Sequence, residues 1–113
     1  MSEESQFRRQ LKIKSGAALR LVKEYQLYKR EEVDQKAKVD KMVAENADGW
    51  DVRAATRILE ESQKMITNSA SRYEAAIGDL KDLVALANEK YGLTMEDADV
   101  AAAEQTIKRS ESA

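Results

Sequence analysis

Apolar side chains recur every seven residues along most of this chain. With Leu11 taken as position a of a heptad, position a continues through Ala18, Tyr25, Glu32 and Val39, and position d runs Phe7, Lys14, Leu21, Tyr28, Gln35 and Met42. A second series places Val52, Leu59, Ile66, Tyr73, Leu80 and Ala87 at a, with Ala55, Ser62, Ser69, Ala76 and Leu83 at d. The d side of this seam is small where the a side is large. Residues seven apart stay on one helix face, and a sustained repeat of this period winds two helices left-handedly about each other.

Two breaks divide the pattern. Asn46-Ala47-Asp48-Gly49 gathers turn-forming residues between the two series, and so short a loop makes the flanking helices antiparallel neighbours. At Tyr91-Gly92-Leu93-Thr94, Gly92 supplies a left-handed residue past a helix end and Leu93 folds back onto the last turn. Thr94, three residues before Asp97, reads as the cap of a further helix with Leu93 and Ala98 as its hydrophobic staple, and Asp51 reads as the cap of the second helix. The chain is therefore expected to be all-α and a single domain. Its helices fall at roughly 6–45, 51–91 and 95–109, between disordered termini. They make an elongated three-helix bundle, a long antiparallel hairpin with a shorter third helix.

A helix rises 1.5 Å per residue, so the first helix is about 60 Å long and the third only about 22 Å. The third helix must then sit beside the start of the first and the end of the second. Val100, Ala103 and Ile107 need an apolar seam there, and Leu19 and Val22 with Ile77 and Val84 provide one. The opposite flank carries Ile13, Ala17, Leu27, Ile58, Met65 and Leu86. Two readings stand: a wide core seam with ordinary surface scatter, or a strip that binds a partner, for which methionine is well suited.

Composition removes several function classes. The 113 residues include no His, Cys or Pro, so imidazole and thiolate catalysis and the usual ligand sets for zinc, haem and iron–sulfur clusters have no donors. Four isolated glycines form no phosphate-binding loop; Gly16 and Gly78 fall at outward positions. Carboxylates acting alone need a water-excluding cleft, which a thin hairpin does not offer, so neither enzyme activity nor a cofactor is expected. No apolar run approaches the roughly 20 residues that span a bilayer, and the first ten residues lack the apolar centre of a signal peptide. The expectation is a soluble, cytoplasmic chain without membrane partners.

Charge is unevenly spread. The net charge is −2, yet residues 8–30 carry eight cations against Glu24 alone. Three readings follow: pairing with acids of the other helices, a nucleic-acid footprint, or a dock for an acidic protein. The negative total and the missing aromatic ladder argue against nucleic acid. Lys14 interrupts the apolar seam, where a lysine lays its stem along the seam and lifts its ammonium to water, although a register or partner role is also open. Glu32 and Gln35 interrupt it again and weaken the middle of the hairpin.

Three segments carry a family resemblance. QLKIKSGAALRLVKE, Gln10 to Glu24, resembles the opening of tubulin-binding cofactor A, where K-I-K-[ST]-G leads into R-L-V-K-E. WDVRAATRILEESQKMI, Trp50 to Ile66, is similar to that family's turn exit and its I-L-x-E-S-x-x-M-I segment. RYEAAIGDL, Arg72 to Leu80, is a looser match. The matches keep their order and spacing across about 70 residues and fade beyond Lys90. Thr67-Asn68 stands where many members have proline and aspartate, which removes an expected kink from the second helix.

The resemblance implies a three-helix chaperone of the tubulin-folding pathway. Members hold quasi-native β-tubulin released from the cytosolic chaperonin and pass it to cofactor D and other tubulin-folding cofactors for assembly with α-tubulin. It also implies a cytoskeletal association, and it leaves monomer and homodimer both open. Tubulins are acidic, in keeping with the basic stripe. The residues it marks for partner contact are Lys12, Ile13, Lys14, Arg20, Lys23 and Glu24 with Glu60, Glu61, Lys64 and Met65, to which the apolar strip adds Leu27 and Ile58. The competing reading is a coiled-coil scaffold whose strip serves only self-association.

Overall fold

Phe7 stacks on Tyr91 and Tyr25 on Tyr73, with ring centroids 4.9 and 4.8 Å apart, which fixes two long helices as antiparallel neighbours. In the computed structural model, which describes residues 2–113, these are α1 (Glu3–Ala44) and α2 (Gly49–Tyr91), followed by α3 (Ala98–Glu111). The molecule measures 65 × 21 × 17 Å. No strand occurs among the described residues. The elongated all-α hairpin with a shorter third helix is thus the observed architecture.

Helix ends differ from the sequence expectation in which side chain reaches the free amides. Ser2 caps α1 by accepting from the Ser5 amide, so the helix starts at Glu3 rather than near residue 6. Asp48, not Asp51, caps α2, its Oδ1 accepting from the Trp50 amide at 2.7 Å. Asp97, not Thr94, caps α3; its Oδ1 accepts from the amides of Asp99 and Val100 at 3.0 and 3.2 Å. The staple drawn from Leu93 to Ala98 is also replaced, because Leu93 packs into the core while Ala98 is exposed. Helix persists to Glu111, two residues beyond the expected end. Gly92 behaves as its position requires: at φ 64° it turns the chain while its amide and that of Leu93 satisfy the carbonyls of Asn88 and Ala87.

α3 runs in the same direction as α1. Its start is tied to Arg8, and its end to Gln26 by two hydrogen bonds donated from Arg109 at 2.9 and 3.2 Å. Where the three helices meet lies the core: Leu11, Ala18, Val22, Ile77, Leu80, Ala87, Val100, Ala103 and Ile107. Fully burying a Leu or Val side chain stabilises by about 1.5–3 kcal/mol, and Leu11, Val22 and Leu80 are entirely buried. Val22 and Ile77 join the α3 seam as expected, with Val84 packed against it and Leu19 half-buried at its edge.

The buried face of α1 changes along its length. Beside α3 it is Leu11, Ser15, Ala18 and Val22, so the stripe leans toward α3; Lys14 is exposed and Leu21 only half-buried. Beyond α3 the original a and d positions return, with Tyr25, Tyr28, Glu32, Gln35, Val39 and Met42 all half-buried. Only two helices meet there. On α2 every a and d position is buried or half-buried, with Leu80 and Ala87 buried at a and the small Ala55 and Ser69 buried at d.

Candidate functional site

The basic stripe of α1 is divided by its neighbours. Arg8 lies 2.6 Å from Asp97 and 3.2 Å from Asp99, and Lys12 lies 3.8 Å from Asp99, so these two cations dock α3. At the same end Lys90 and the Tyr91 hydroxyl both donate to Glu3. The Lys90 bond holds the Glu3 carboxyl below the usual carboxylate range, with Tyr91 adding to it. The pairing reading of the stripe therefore holds for Arg8 and Lys12. For Arg20, Lys23, Arg30 and, on α3, Arg109, no carboxylate lies within 4.0 Å among the described residues.

These unpaired cations border two adjoining depressions. The first, of about 510 Å³, lies on the outer face of α1 and is lined by Gly16, Leu19, Arg20, Lys23, Glu24, Leu27 and Arg30. The second, of about 530 Å³, lies between α1 and α3 and is lined by Ser15, Gly16, Leu19, Ala102, Gln105, Thr106 and Arg109. Gly16 and Leu19 belong to both, so they form one open groove. Leu27, at 44% exposure, offers its apolar body to it.

Of the other residues marked by the sequence, Ile13 stands 51% exposed on α1. Lys14 is exposed and borders a smaller hollow with Asp79, Asp82, Leu83 and Leu86 of α2. Ile58, Glu60, Glu61, Lys64 and Met65 are all exposed, and Lys64 pairs with Glu61 at 3.5 Å along the helix. They are not brought together with the α1 group. Tyr25 lies level with Tyr73, and Met65 is a further eight residues, or about 12 Å, toward the loop. The apolar strip is surface throughout except Ala17, which is half-buried, so the wide-core reading of it is not what the fold adopts.

The sequence places Gly16 outward and Leu19 in the seam for α3 and singles out neither Ala102 nor Arg109, because a groove between α1 and α3 depends on how α3 is laid down. Sequence reasoning also passed over Val33, Val43 and Trp50, which are exposed toward the loop end, Trp50 with Arg53 stacked 4.7 Å from its ring. Their signal was legible: Val33 and Val43 fall outside a and d in a segment with no third helix. Among the described residues no helix is long and apolar enough to cross a membrane, and no acidic cluster has metal-ligand form.

These features define a class: an elongated three-helix protein that presents open, partly basic flanks. The family profile described as tubulin binding cofactor A matches residues 6–107, and the chain belongs to that family. It is 44% identical to a human protein named tubulin-specific chaperone A over 82 residues, covering 73% of this chain and 74% of the human one. It is 38% identical to tubulin-folding cofactor A of Arabidopsis thaliana over 93 residues, 80% and 82% of the two chains. The crystal structure of that Arabidopsis cofactor matches at a TM-score of 0.85 and 31% identity, covering 96% of this chain and 99% of the other. Human tubulin chaperone cofactor A matches at 0.78 and 35%, covering 93% and 98%. The family expected from the three sequence segments is the one found.

Proposed function

We propose that this protein is a tubulin-folding chaperone of the cytoplasm. It binds quasi-native β-tubulin after release from the cytosolic chaperonin, holds it, and hands it on for assembly with α-tubulin, acting as a monomer or homodimer. The observation that carries this reading is the family match over residues 6–107. The surface is consistent with it: Arg20, Lys23 and Arg30 flank exposed Leu27 on α1. Charges of that kind speed encounter with an acidic client and discriminate against basic ones, while the apolar contacts slow its departure. Lys12 contributes less, since Asp99 partly neutralises it. Ile13 and Lys14, and the α2 group Ile58, Glu60, Glu61, Lys64 and Met65, extend the contact along the rod.

Sizing chromatography with purified β-tubulin tests the reading. A stoichiometric complex at micromolar concentration supports it; no complex at that concentration overturns it in favour of a scaffold. The paired reversal Arg20→Glu and Lys23→Glu is expected to weaken capture at least tenfold with an unchanged circular dichroism spectrum.

A further inference from the structure

The groove shared by α1 and α3 has features that the fold itself does not require. Gly16 sits in the interior of α1, where glycine is about 1 kcal/mol less favourable than alanine. A Cβ placed there would meet no heavy atom within 4 Å, so no internal neighbour demands a glycine. What its missing side chain provides is floor space, because Gly16 lines both depressions. Ala102 does the same from α3. Thr106, almost fully buried in the floor, donates its hydroxyl to the Ala102 carbonyl at 3.3 Å, so its hydroxyl proton is already engaged within α3.

Charge specifies what fits. Arg20, Lys23, Arg30 and Arg109 stand around this floor without carboxylate partners among the described residues, against Glu24 as the one acid lining either depression. Arg109 rests on the neutral amide oxygen of Gln26, which leaves its charge uncompensated. Two helices side by side with small residues between them form the receiving surface of helix-in-groove recognition. From Ser15 to Arg30 the groove is about 22 Å long, or four helical turns.

We propose that this groove receives an amphipathic helix of the client protein, its apolar face over Gly16, Leu19 and Ala102 and an acidic edge toward Arg20, Lys23, Arg30 and Arg109. The inference deepens the tubulin-binding reading and rests on it. It makes α3 one wall of the client site and not merely a brace for the hairpin.

Gly16→Leu fills the groove, and Gly78→Leu is its matched control, since Gly78 is equally open but lines neither depression. Both substitutions exchange glycine for a strong helix former, so both are expected to hold or raise the melting temperature. Gly16→Leu is expected to lower affinity for purified β-tubulin at least tenfold, and Gly78→Leu less than twofold. A photo-crosslinking residue at Ala102 is expected to label a helical, acid-edged segment of β-tubulin. Equal capture by Gly16→Leu and the parent overturns the groove and leaves the proposed function standing; failure of the parent to capture tubulin overturns both. Equal loss in the two variants, or label confined to a non-helical segment or to a second copy of this chain, also overturns the groove.

Discussion

Asp97 serves two helices at once: one carboxylate oxygen caps α3, and the other accepts from Arg8 of α1 at 2.6 Å. The cap is what makes α3 begin where it does, and the ion pair is what places that beginning on α1. Local structure and tertiary docking therefore share one side chain.

The Arg8 hydrogen bond holds the Asp97 carboxyl below its ordinary range against the opposing effect of burial, with the amides of Val100 and Asp99 adding to the lowering. A carboxylate whose folded pKa is depressed contributes stability that is present above its unfolded value, about 3.9, and is lost as pH falls through the folded pKa. Acidification below about pH 4 should therefore loosen α3, read as faster hydrogen exchange at Val100 to Ile107. Asp97→Asn retains a good cap and loses the ion pair, so part of this acid sensitivity should disappear. Glu3, lowered by Lys90, acts in the same direction, and Glu3→Gln should remove a separate part of it. Asp97→Ala also loses the cap and should destabilise by about 1 kcal/mol at neutral pH.

Leu80 and Leu86 lie six residues apart on α2 with opposite fates, the first fully buried and the second exposed. Leu80→Ala should cost about 2–5 kcal/mol in chemical denaturation. That is a large fraction of the roughly 5–15 kcal/mol that holds a domain folded. Leu86→Ala should stay within about 1 kcal/mol of the parent. Similar losses at both positions would mean that the two-sided packing of α2 is misread.

In the two-helix half, the side-chain oxygen of Gln35 is buried without a hydrogen-bond partner among the described residues. An unsatisfied buried acceptor costs about 1–3 kcal/mol, so Gln35→Leu should raise stability by about 1 kcal/mol. Because no third helix covers this half, the gain should appear as slower hydrogen exchange on both sides of the loop, with little change beside α3.

The hairpin was legible because heptad periodicity is local and long: Leu11, Ala18 and Tyr25 announce their face without knowledge of any partner. The third helix was legible in position from its length and the tight turn at Gly92. Its start was not, because Thr94 and Asp97 both satisfy the sequence rule for a cap; in the fold the Thr94 hydroxyl accepts from the Glu96 amide in the preceding turn, and Asp97, tied to Arg8, caps the helix. The tilt of the α1 core toward Ser15 and Val22 was missed for a related reason. Heptad positions describe two helices, and α3 adds a third direction of burial. The α1 candidates were readable as a charge stripe, but only the folded chain distinguishes Arg8 and Lys12, which face Asp97 and Asp99, from Arg20 and Lys23, which face water.

Leu27 and Met65 provide the test of the surface strip as a whole. Both lie outside the core, at 44% and 38% exposure, Leu27 in the α1 groove and Met65 on α2 nearer the loop. Each glutamate substitution should leave helicity intact and shift stability by less than about 1 kcal/mol, since both positions lie outside the core and the aliphatic stem of glutamate keeps part of the cover. Their effects on tubulin capture are expected to differ. Leu27→Glu puts a negative charge among Arg20, Lys23 and Arg30, where it removes apolar contact and neutralises the field that draws an acidic client, so a loss of at least tenfold is expected. Met65→Glu adds an acid beside the Glu61–Lys64 pair and removes only an apolar contact, so the loss should be smaller and less dependent on salt. A collapse of thermal stability in either variant would reassign that residue to the core. Equal losses of capture with both folds intact would make the client's footprint continuous from the groove to Met65.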